Sequence, residues 1–520
     1  MKGCLVHPFF LSREISLSEK RNVTLLIQLQ FSTQKGDNMG ILTDIEPKNV
    51  FRYFEEIAAI PHGSGDTQAL TEYLVQFAID HNFDAIADEE GNVIIKKYGS
   101  EGYEDSDVVI LQAHMDMVCV AAPGVSHSFE TDPISILVDG DYITADGTTL
   151  GGDDGIGVAY MLAILDDDTI AHPPLECVFT VDEETGLTGA NALDPSFVDG
   201  KRMINLDSEA EGVIIAGCAG SSTITTSVPI GRAVIKGMPV LIEIGGLLSG
   251  HSGEDINKDR INANKLIGRY LYELDRKVAF SLCDVSGGER TNVIPAASKA
   301  HLVIDEDDLE DARTFTKDFA AAVKKEFSGS DDGLTIKLES GHPHKVTVMD
   351  PDSQSKVITF LMAVPNGVQH MSGLNRKQVQ TSTNLAIIKT GQTQFLTTSM
   401  IRSSHTSERE YVTAQIRNLT KYLGGSTQTS ASFPAWEYNE TSPLQKIMSD
   451  VYEEMNGKKP EISVTHGGLE CGIFCDKIEG LDAVSIGPDM IAIHTPDEKL
   501  SISSTARTWE YLLSVLASLK

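Results

Sequence analysis

The first segment of the chain that could do chemistry follows an apolar run. Val108–Leu111 predicts a strand buried on both faces, and it leads directly into Gln112-Ala113-His114-Met115-Asp116. Side chains alternate along an extended backbone, so His114 and Asp116 face the same side. His114 can ligate a metal ion while Asp116 accepts the other ring N–H and fixes the tautomer. Taken alone, a histidine at a strand end is more often a structural residue.

A glycine-rich segment contributes two adjacent carboxylates. In Thr148–Gly155, the glycines around Asp153 and Asp154 allow the backbone to turn sharply before a helix predicted from Ile156. A carboxylate held at such a turn can bridge two cations. It can also cap the helix, a position that aspartate favours. Taken alone, the segment favours the helix cap.

Further candidates lie at two strand ends and in a late loop. Glu183 and Glu184 follow the predicted strand Leu175–Val181, and adjacent glutamates point in different directions. One of them can bind metal while the other faces substrate as a base, although a solvated loop is an equally good interpretation. Asp207 follows another predicted strand, and His494 lies in a loop near the C-terminus.

Together these residues favour a centre for two divalent cations. His114, Glu184 and Asp207 all follow strands, and the strands of an open α/β sheet bind ligands at their carboxyl ends. Two imidazoles and three carboxylates, one of them bridging, suit cations roughly 3.5–4 Å apart. Mixed nitrogen and oxygen ligands favour zinc, with manganese or cobalt as alternatives. Such a pair lowers the pKa of a bridging water and polarises a carbonyl, while a neighbouring carboxylate passes the proton to the leaving amine.

The elements that hold these residues alternate between strands and helices, which predicts an α/β fold with a mixed, largely parallel sheet. The middle third repeats one order of elements, which predicts an inserted α+β lid domain built from two similar halves. A Gly-, Ser- and Thr-rich stretch over 424–432 predicts a linker. We therefore expect a catalytic domain of residues 39–225 and 433–520, interrupted by a lid domain over 226–432. Residues 1–38 lack sustained periodicity, and we expect an N-terminal extension outside the core.

Composition excludes two classes of partner. The 520 residues include 42 Lys+Arg and 75 Asp+Glu, a net charge of −33 that disfavours nucleic acid and anionic membranes. No apolar run of about 18 residues or more predicts a membrane span. The seven scattered cysteines favour free thiols in a reducing compartment, the cytoplasm. Cys471 and Cys475 lack the further ligands that a zinc site would need.

The order of the segments resembles one known family. QAHMDMV, TTLGGDDGIG, DEETG, NLDSEAEG, GHSGEDI, GLECG and HTPDE resemble the motifs of the aminoacyl-histidine dipeptidases, also called cytosol non-specific or Xaa-His dipeptidases, a branch of the co-catalytic zinc peptidases. The match covers about residues 39–520, and ordered motifs are far more specific than any single one. The resemblance implies a zinc-peptidase fold and hydrolysis of unblocked dipeptides, including Xaa-His, by a metal-bound water.

The resemblance also implies a role for each candidate. Five residues share the role of metal ligand: His114 and Asp207 on one cation, Glu184 and His494 on the other, and Asp153 bridging both. Asp116 orients His114, and Glu183 is the general base. The peptide bond between Asp153 and Asp154 is expected to be cis.

Three lid residues receive substrate-binding roles from the same resemblance. It implies that His251 stabilises the oxyanion, and that Asn292 and Arg402 hold the substrate backbone and carboxylate, since an arginine fork binds a carboxylate through two hydrogen bonds. Relatives with a single-unit lid dimerise and take this histidine from the partner, whereas a duplicated lid can supply His251 within one chain. A homodimer through the lid stays an alternative.

Two other functions stay open at this point. A related amidohydrolase acting on acylated amino acids would use the same metal ligands and differ only in its pocket. The segments 465–468 and 292–296 depart from the family pattern, so the preferred substrate side chains are also open. A catalytically silent binding homologue would keep the fold, but it would not need both Asp116 and Glu183 beside the five ligands.

Overall fold

A computed structural model describes residues 40–373 and 377–520 of the chain. The predicted N-terminal extension, residues 1–38, lies outside these residues. The described residues form an α/β fold with three sheets of eight, ten and four strands, which we call sheets A, B and C. Among them, no helix combines the length and apolar character needed to cross a bilayer.

Helices and strands alternate along much of the chain. The helices are α1 (Lys48–Ala58), α2 (Gln68–Asp80), α3 (Gly152–Asp166), α4 (Thr188–Ala192), α5 (Ala263–Asp275), α6 (Leu309–Glu326), α7 (Pro351–Ala363), α8 (Thr406–Tyr422), α9 (Pro443–Asn456), α10 (Glu470–Lys477) and α11 (Ile502–Ser518). The strands are β1 (Asp84–Ala87), β2 (Val93–Lys97), β3 (Val109–His114), β4 (Ile136–Asp139), β5 (Tyr142–Ala145), β6 (Leu175–Thr180), β7 (Arg202–Asn205), β8 (Val213–Cys218), β9 (Gly220–Pro229), β10 (Arg232–Gly245), β11 (Phe280–Gly287), β12 (Ser298–Ile304), β13 (Thr335–Ser340), β14 (His344–Met349), β15 (Gly367–Met371), β16 (Val379–Thr390), β17 (Gln394–Ser403), β18 (Ser426–Phe433), β19 (Glu461–Thr465), β20 (Asp482–Ser485), β21 (Met490–Ile491) and β22 (Lys499–Ser501).

Sheet A is mixed, with a parallel centre. Its strand order is β1-β2-β6-β3-β7-β20-β8-β19, and β3 pairs in parallel with both β6 and β7. Val109 and Leu111 of β3 pack into one buried cluster, whereas Ile110 packs into a second cluster that includes Phe474 of α10. Because both faces of β3 are covered, this strand is apolar at consecutive positions. The predicted α/β class and mixed, largely parallel sheet are confirmed.

Sheet B is antiparallel and covers the middle of the chain. Its strand order is β13-β10-β12-β11-β16-β17-β9-β18, with β14 beside β10 and β15 beside β16. Buried side chains from helices α5 to α8 share one core with this sheet: Ile267, Phe319, Phe360 and Ile416. The proposed origin of this region from two similar halves stays a prediction.

The predicted linker over 424–432 is wrong. Residues 426–433 form β18, which pairs with β9 so that Thr427 lies opposite Thr226. Threonine favours strands, and the hydrogen bonds offered by β9 order a segment whose own composition is weakly apolar. Sheet B also includes β9 from Gly220 onwards. The predicted limits of the lid domain, residues 226 and 432, stay a prediction.

Three lysines hold the C-terminal ends of helices. Lys97 Nζ donates to the carbonyl oxygens of Ile164, Leu165 and Asp167 at 3.0–3.1 Å, at the end of α3. Lys265 does the same at the end of α7, and Lys477 at the end of α4. Carbonyl groups in a last helical turn lack partners within the helix, and a cation there also complements the helix dipole. Lys97 thereby fixes the helix that carries Asp153 at its other end.

We expect Lys97→Met to lower the free energy of unfolding by about 1.5–3 kcal/mol, because buried carbonyls lose hydrogen bonds to a charged group. Denaturant unfolding followed by circular dichroism measures the change. Lys236→Met is the control, since Lys236 is exposed on β10 and should change stability by less than about 0.5 kcal/mol. Equal losses in the two variants would show that Lys97 does not stabilise α3.

Candidate metal centre

The strand ends of sheet A bring the predicted ligands together. His114 ends β3, Glu183 and Glu184 follow β6, and Asp207 lies two residues beyond β7. Since β3 lies between β6 and β7 in register, their three carboxyl ends lie at one edge of the sheet. His494 reaches the same place from the loop between β21 and β22 of sheet C.

Asp153 lies between the two imidazoles. His114 Nε2 is 3.1 Å from Asp153 Oδ1, and His494 Nε2 is 3.1 Å from Asp153 Oδ2. On the first side, Asp207 Oδ1 lies 3.6 Å from His114 Nε2. On the second side, Glu184 Oε1 lies 2.7 Å from His494 Nε2. The residues therefore form two half-sites that share the Asp153 carboxylate.

The distances within the cluster suit metal ligands. One ligand atom each from His114, Asp153 and Glu184 lies within 4.8 Å of the others, and this is the one such group of three among the described residues. Imidazole nitrogen and carboxylate oxygen are the donors that zinc, manganese and cobalt accept. Asp207 and His494 extend the cluster on either side. The donor set therefore fits a pair of divalent cations.

The turn before α3 places the Asp153 carboxylate. Gly151 has φ 73°, in the left-handed region that favours glycine, and the peptide bond between Asp153 and Asp154 is cis, as the resemblance implied. Asp153 itself has non-helical φ and ψ. The segment is therefore not simply a helix capped by aspartate, and the side chain of Asp153 points at both histidines.

Asp116 contacts both His114 and the glutamate turn. His114 Nδ1 lies 2.9 Å from the backbone carbonyl of Asp116 and 3.4 Å from its carboxylate. A proton on Nδ1 donated to that carbonyl leaves Nε2 free as a ligand atom. The Asp116 carboxylate meanwhile accepts from the Ser64 hydroxyl at 2.8 Å and from the Glu183 backbone N–H at 3.0 Å. Asp116 thus links the ends of β3 and β6.

Carboxyl groups outnumber imidazoles in the cluster. Burial opposes ionisation of Asp153, but hydrogen bonds from His114 and His494 hold its pKa well below the usual range. Burial would lower the pKa of His494, yet Asp153 and Glu184 raise it to about 11. Burial, with the charge of Asp153 adding to it, raises the pKa of Asp207 to about 8. An environment that favours protonated imidazoles and carboxyl groups also favours bound cations.

Glu183 is not part of the triple of close ligand atoms. Burial raises the pKa of its carboxyl well above the usual value, and the charges of Asp207, Glu184 and Glu470 add to this, with His114 opposing. A carboxylate that holds a proton more readily than usual is a stronger base than an ordinary glutamate. Glu184 therefore lies among the close ligand atoms, whereas Glu183 lies outside that group.

The predicted lid residues meet within one chain. Arg402 Nη2 lies 3.2 Å from His251 Nε2, and His251 forms an isolated bridge with Val293 beside Asn292. Burial lowers the pKa of His251, and the positive charges of Arg402 and His494 lower it further. The effect of the His494 charge shows that the loop of His251 lies near one of the predicted ligands of the same chain. The side chain of Asn292 is exposed.

Arg402 is a buried cation, and no carboxylate among the described residues forms an ion pair with it. The residue is 6% exposed. Within the described part of the chain its Nε atom has no hydrogen-bond partner, and burial lowers its pKa to about 10 although the charge of Glu254 opposes this shift. His466, from a segment that departs from the family pattern, lies nearby with Nε2 2.8 Å from the Ser382 hydroxyl, and Ser382 pairs with Arg402 across β16 and β17. The site thus combines a cationic pocket with an anionic metal centre.

Two buried glutamates beside the centre were not singled out from the sequence. Glu470 and Glu498 are 0% and 3% exposed and both lie within quoted motifs, GLECG and HTPDE. Burial raises the pKa of both carboxyl groups, that of Glu470 to about 7. Sequence offers only their presence in these motifs as a signal, because their partners come from distant segments.

Most of the chain matches one known protein family. Residues 110–518 match the description "Peptidase family M20/M25/M40". The cytosol non-specific dipeptidase of Escherichia coli (strain K12) is 34% identical over 480 residues, which cover 92% of this chain and 99% of that protein.

Solved structures give the same result for the fold. The aminoacylhistidine dipeptidase of Vibrio alginolyticus superposes with a TM-score of 0.82 at 34% identity, covering 92% of this chain and 98% of that one. A tripeptidase of Staphylococcus aureus has a TM-score of 0.53 at 17% identity, covering 91% of this chain and 99% of that one, a likeness of fold alone. The similarity to the first two proteins spans nearly their whole length.

We expect Glu184→Gln to lose bound metal and Glu183→Gln to retain it. A neutral amide at position 184 removes a charged ligand 2.7 Å from His494, whereas Glu183 lies outside the close group. Elemental analysis after loading with Zn²⁺ and dialysis measures the stoichiometry. Identical metal content in the two variants would mean that the roles of the glutamates are not divided in this way.

Proposed function

Since the chain belongs to peptidase family M20/M25/M40, we propose that it is a metal-dependent dipeptidase that cleaves the peptide bond of unblocked dipeptides, Xaa-His among them. The observation that carries this proposal is the Asp153 carboxylate held between His114 and His494. The names of the relatives from Escherichia coli and Vibrio alginolyticus supply the substrate class.

Two divalent cations would be held by the two half-sites. His114 and Asp207 would bind one cation, His494 and Glu184 the other, and Asp153 would bridge them. The mixture of imidazole nitrogen and carboxylate oxygen supports Zn²⁺, with Mn²⁺ and Co²⁺ as alternatives. When bound, such cations would lower the pKa of a water molecule and polarise the scissile carbonyl.

The protein's own residues move the proton and hold the reacting groups. Glu183 takes the proton from the attacking water and delivers it to the nitrogen of the leaving amine. Asp116 keeps His114 Nε2 directed at the centre through its contact with Nδ1, and it fixes the turn that carries Glu183. His251 donates to the oxygen that becomes negative at the carbonyl carbon.

The lid pocket would read the free carboxylate of a dipeptide. A buried guanidinium that has no ion-pair partner among the described residues is costly, and the substrate carboxylate would supply the missing anion. Asn292 would hold the substrate backbone. His251 and Arg402 touch within one chain, which supports action of His251 in cis, and a homodimer through the lid stays an alternative. The relative's name places that protein in the cytosol, which supports a cytoplasmic location here.

We expect a strong chelator to abolish hydrolysis of an Xaa-His dipeptide and Zn²⁺, Mn²⁺ or Co²⁺ to restore it, because the cations activate the water. Release of free amino acids measures the activity, and elemental analysis verifies that metal was removed. Full activity in verified metal-free protein would contradict the proposal. Activity on N-acylated amino acids but not on free dipeptides would instead favour an amidohydrolase.

We expect Glu183→Gln to lower kcat by about 10²–10⁴-fold, because an amide cannot accept the proton. Turnover is measured on fully metal-loaded protein, so that a change in metal content cannot explain the loss. Glu90→Gln, on an exposed turn, is the control. Near-normal turnover in Glu183→Gln would assign the general base to another group.

We expect Arg402→Met to raise KM strongly for free dipeptides, since a charge-assisted hydrogen bond is worth about 1.5–3 kcal/mol. C-terminally amidated dipeptides should be poor substrates of the unmodified protein and lose much less activity in the variant. The measurement is kcat/KM for two proteins on both substrates. An equal loss on the two substrates would show that Arg402 supports the lid and does not read the carboxylate.

A further inference from the structure

Glu470 lies fully buried behind the metal centre at the first residue of α10. Its Oε2 atom accepts two hydrogen bonds, from Gln112 Nε2 at 2.5 Å and from the Thr180 hydroxyl at 2.6 Å. Gln112 lies in β3 and Thr180 ends β6. One carboxylate oxygen therefore connects α10 to two adjacent parallel strands.

The same network reaches β7. Asn205 Nδ2 donates to Gln112 Oε1 at 2.6 Å, and these two residues are direct partners in the register of β3 and β7. The side-chain oxygen of Asn205, Oδ1, in turn accepts from the backbone N–H of Asp207 at 3.4 Å. A continuous chain of hydrogen bonds thus runs from Glu470 through Gln112 and Asn205 to the backbone N–H of Asp207.

The spacing of the network matches that of the ligands. Gln112 lies two residues before His114, and Asn205 lies two residues before Asp207. Residues two apart in a strand face the same side, so Gln112 and His114 lie next to each other on one face of β3. Movement of Gln112 or Asn205 would therefore displace the ligands of one half-site, that of His114 and Asp207.

A second buried glutamate supports a different part of the centre. Glu498 accepts from the backbone N–H groups of Leu150 and Gly152, each at 2.8 Å, in the turn that presents Asp153. Because Asp153 is shared by both half-sites, Glu498 acts on both. Glu470, in contrast, accepts from Gln112, which lies two residues before His114, and from Thr180, which is the register partner of His114.

We propose that Glu470 is a positioning residue for the half-site of His114 and Asp207, acting through Gln112, Asn205 and Thr180. This inference rests on the ligand assignment of the proposed function. Groups that orient metal ligands typically change metal affinity about 10–100-fold when they are removed. The effect of Glu470 is therefore selective for one cation.

The test compares two single-site backgrounds of the full-length protein. His494→Ala leaves the half-site of His114 and Asp207, and His114→Ala leaves that of His494 and Glu184. Calorimetric titration of metal-free protein with Zn²⁺ gives Kd for the remaining site. We expect Glu470→Met to raise Kd about 10–100-fold in the His494→Ala background and by less than about 3-fold in the other.

Three further variants separate positioning from folding. Glu470→Gln keeps an oxygen that accepts from Gln112 and Thr180, and it should restore Kd in the His494→Ala background. Thr180→Val removes one of the two hydrogen bonds at nearly constant volume, and it should give a smaller change in the same direction. Glu498→Met should raise Kd in both backgrounds. If Glu470→Met does not fold, the change in Kd is compared between the two backgrounds with Thr180→Val instead.

The outcomes distinguish this inference from the proposed function. An unmodified protein that does not bind two cations would overturn both. Two bound cations, with equal or absent changes in Kd for Glu470→Met and Thr180→Val in the two backgrounds, would overturn only the role of Glu470. A lower melting temperature without a selective change in Kd would also overturn it, because a purely structural residue has that effect.

Discussion

The architecture of the centre depends on one carboxylate shared by two imidazoles. Asp153 lies 39 residues from His114 and 341 residues from His494 along the chain, yet each of its oxygens is 3.1 Å from one of them. The carboxylates of Asp153, Asp207 and Glu184 lie close together, so they repel one another unless bound cations or protons neutralise their charge. The fold must therefore hold these groups in place against their own electrostatics.

Sheet A meets this requirement through position and burial. The parallel strands β3, β6 and β7 end at one edge and bring three ligand-bearing turns together. Apolar residues on both faces of β3 leave the strand little freedom to shift. Backbone groups then hold the side chains: the turn after β6 donates to Asp116, and the turn before α3 donates to Glu498. Strands of sheet A and the start of α3 therefore position the centre together with the turns that join them.

The lid side has the opposite electrostatic character. Arg402 is buried, no carboxylate among the described residues forms an ion pair with it, and it lies beside His251 and His466, whose pKa values are lowered by burial and by this neighbouring charge. His251 interacts electrostatically with both Arg402 and His494, so a buried positive charge lies near the carboxylate cluster. Arg402 and Ser382 are register partners there, on β17 and β16 of sheet B.

Local patterns in the sequence predicted the chemically active residues and most of the elements that carry them. Apolar runs such as 108–111 predicted buried strands, and helical periodicity over 46–60 predicted a helix that the structure has at Lys48–Ala58. Side-chain chemistry predicted a metal centre because imidazoles and carboxylates followed strand ends. These signals are local, so they survive without any knowledge of which segments become neighbours.

Which of these groups come into contact depends on the packing of distant segments. Residues 426–433 became a strand because β9 supplies their hydrogen-bond partners, which weak local periodicity cannot reveal. Glu470 connects to Gln112 across 358 positions, and no spacing in the sequence encodes that contact. The contact of Arg402 with His251 likewise joins segments that lie 151 positions apart. Contacts between distant segments depend on the packing of the whole chain. The residues that support the centre, such as Glu470, could therefore be identified only from the structure.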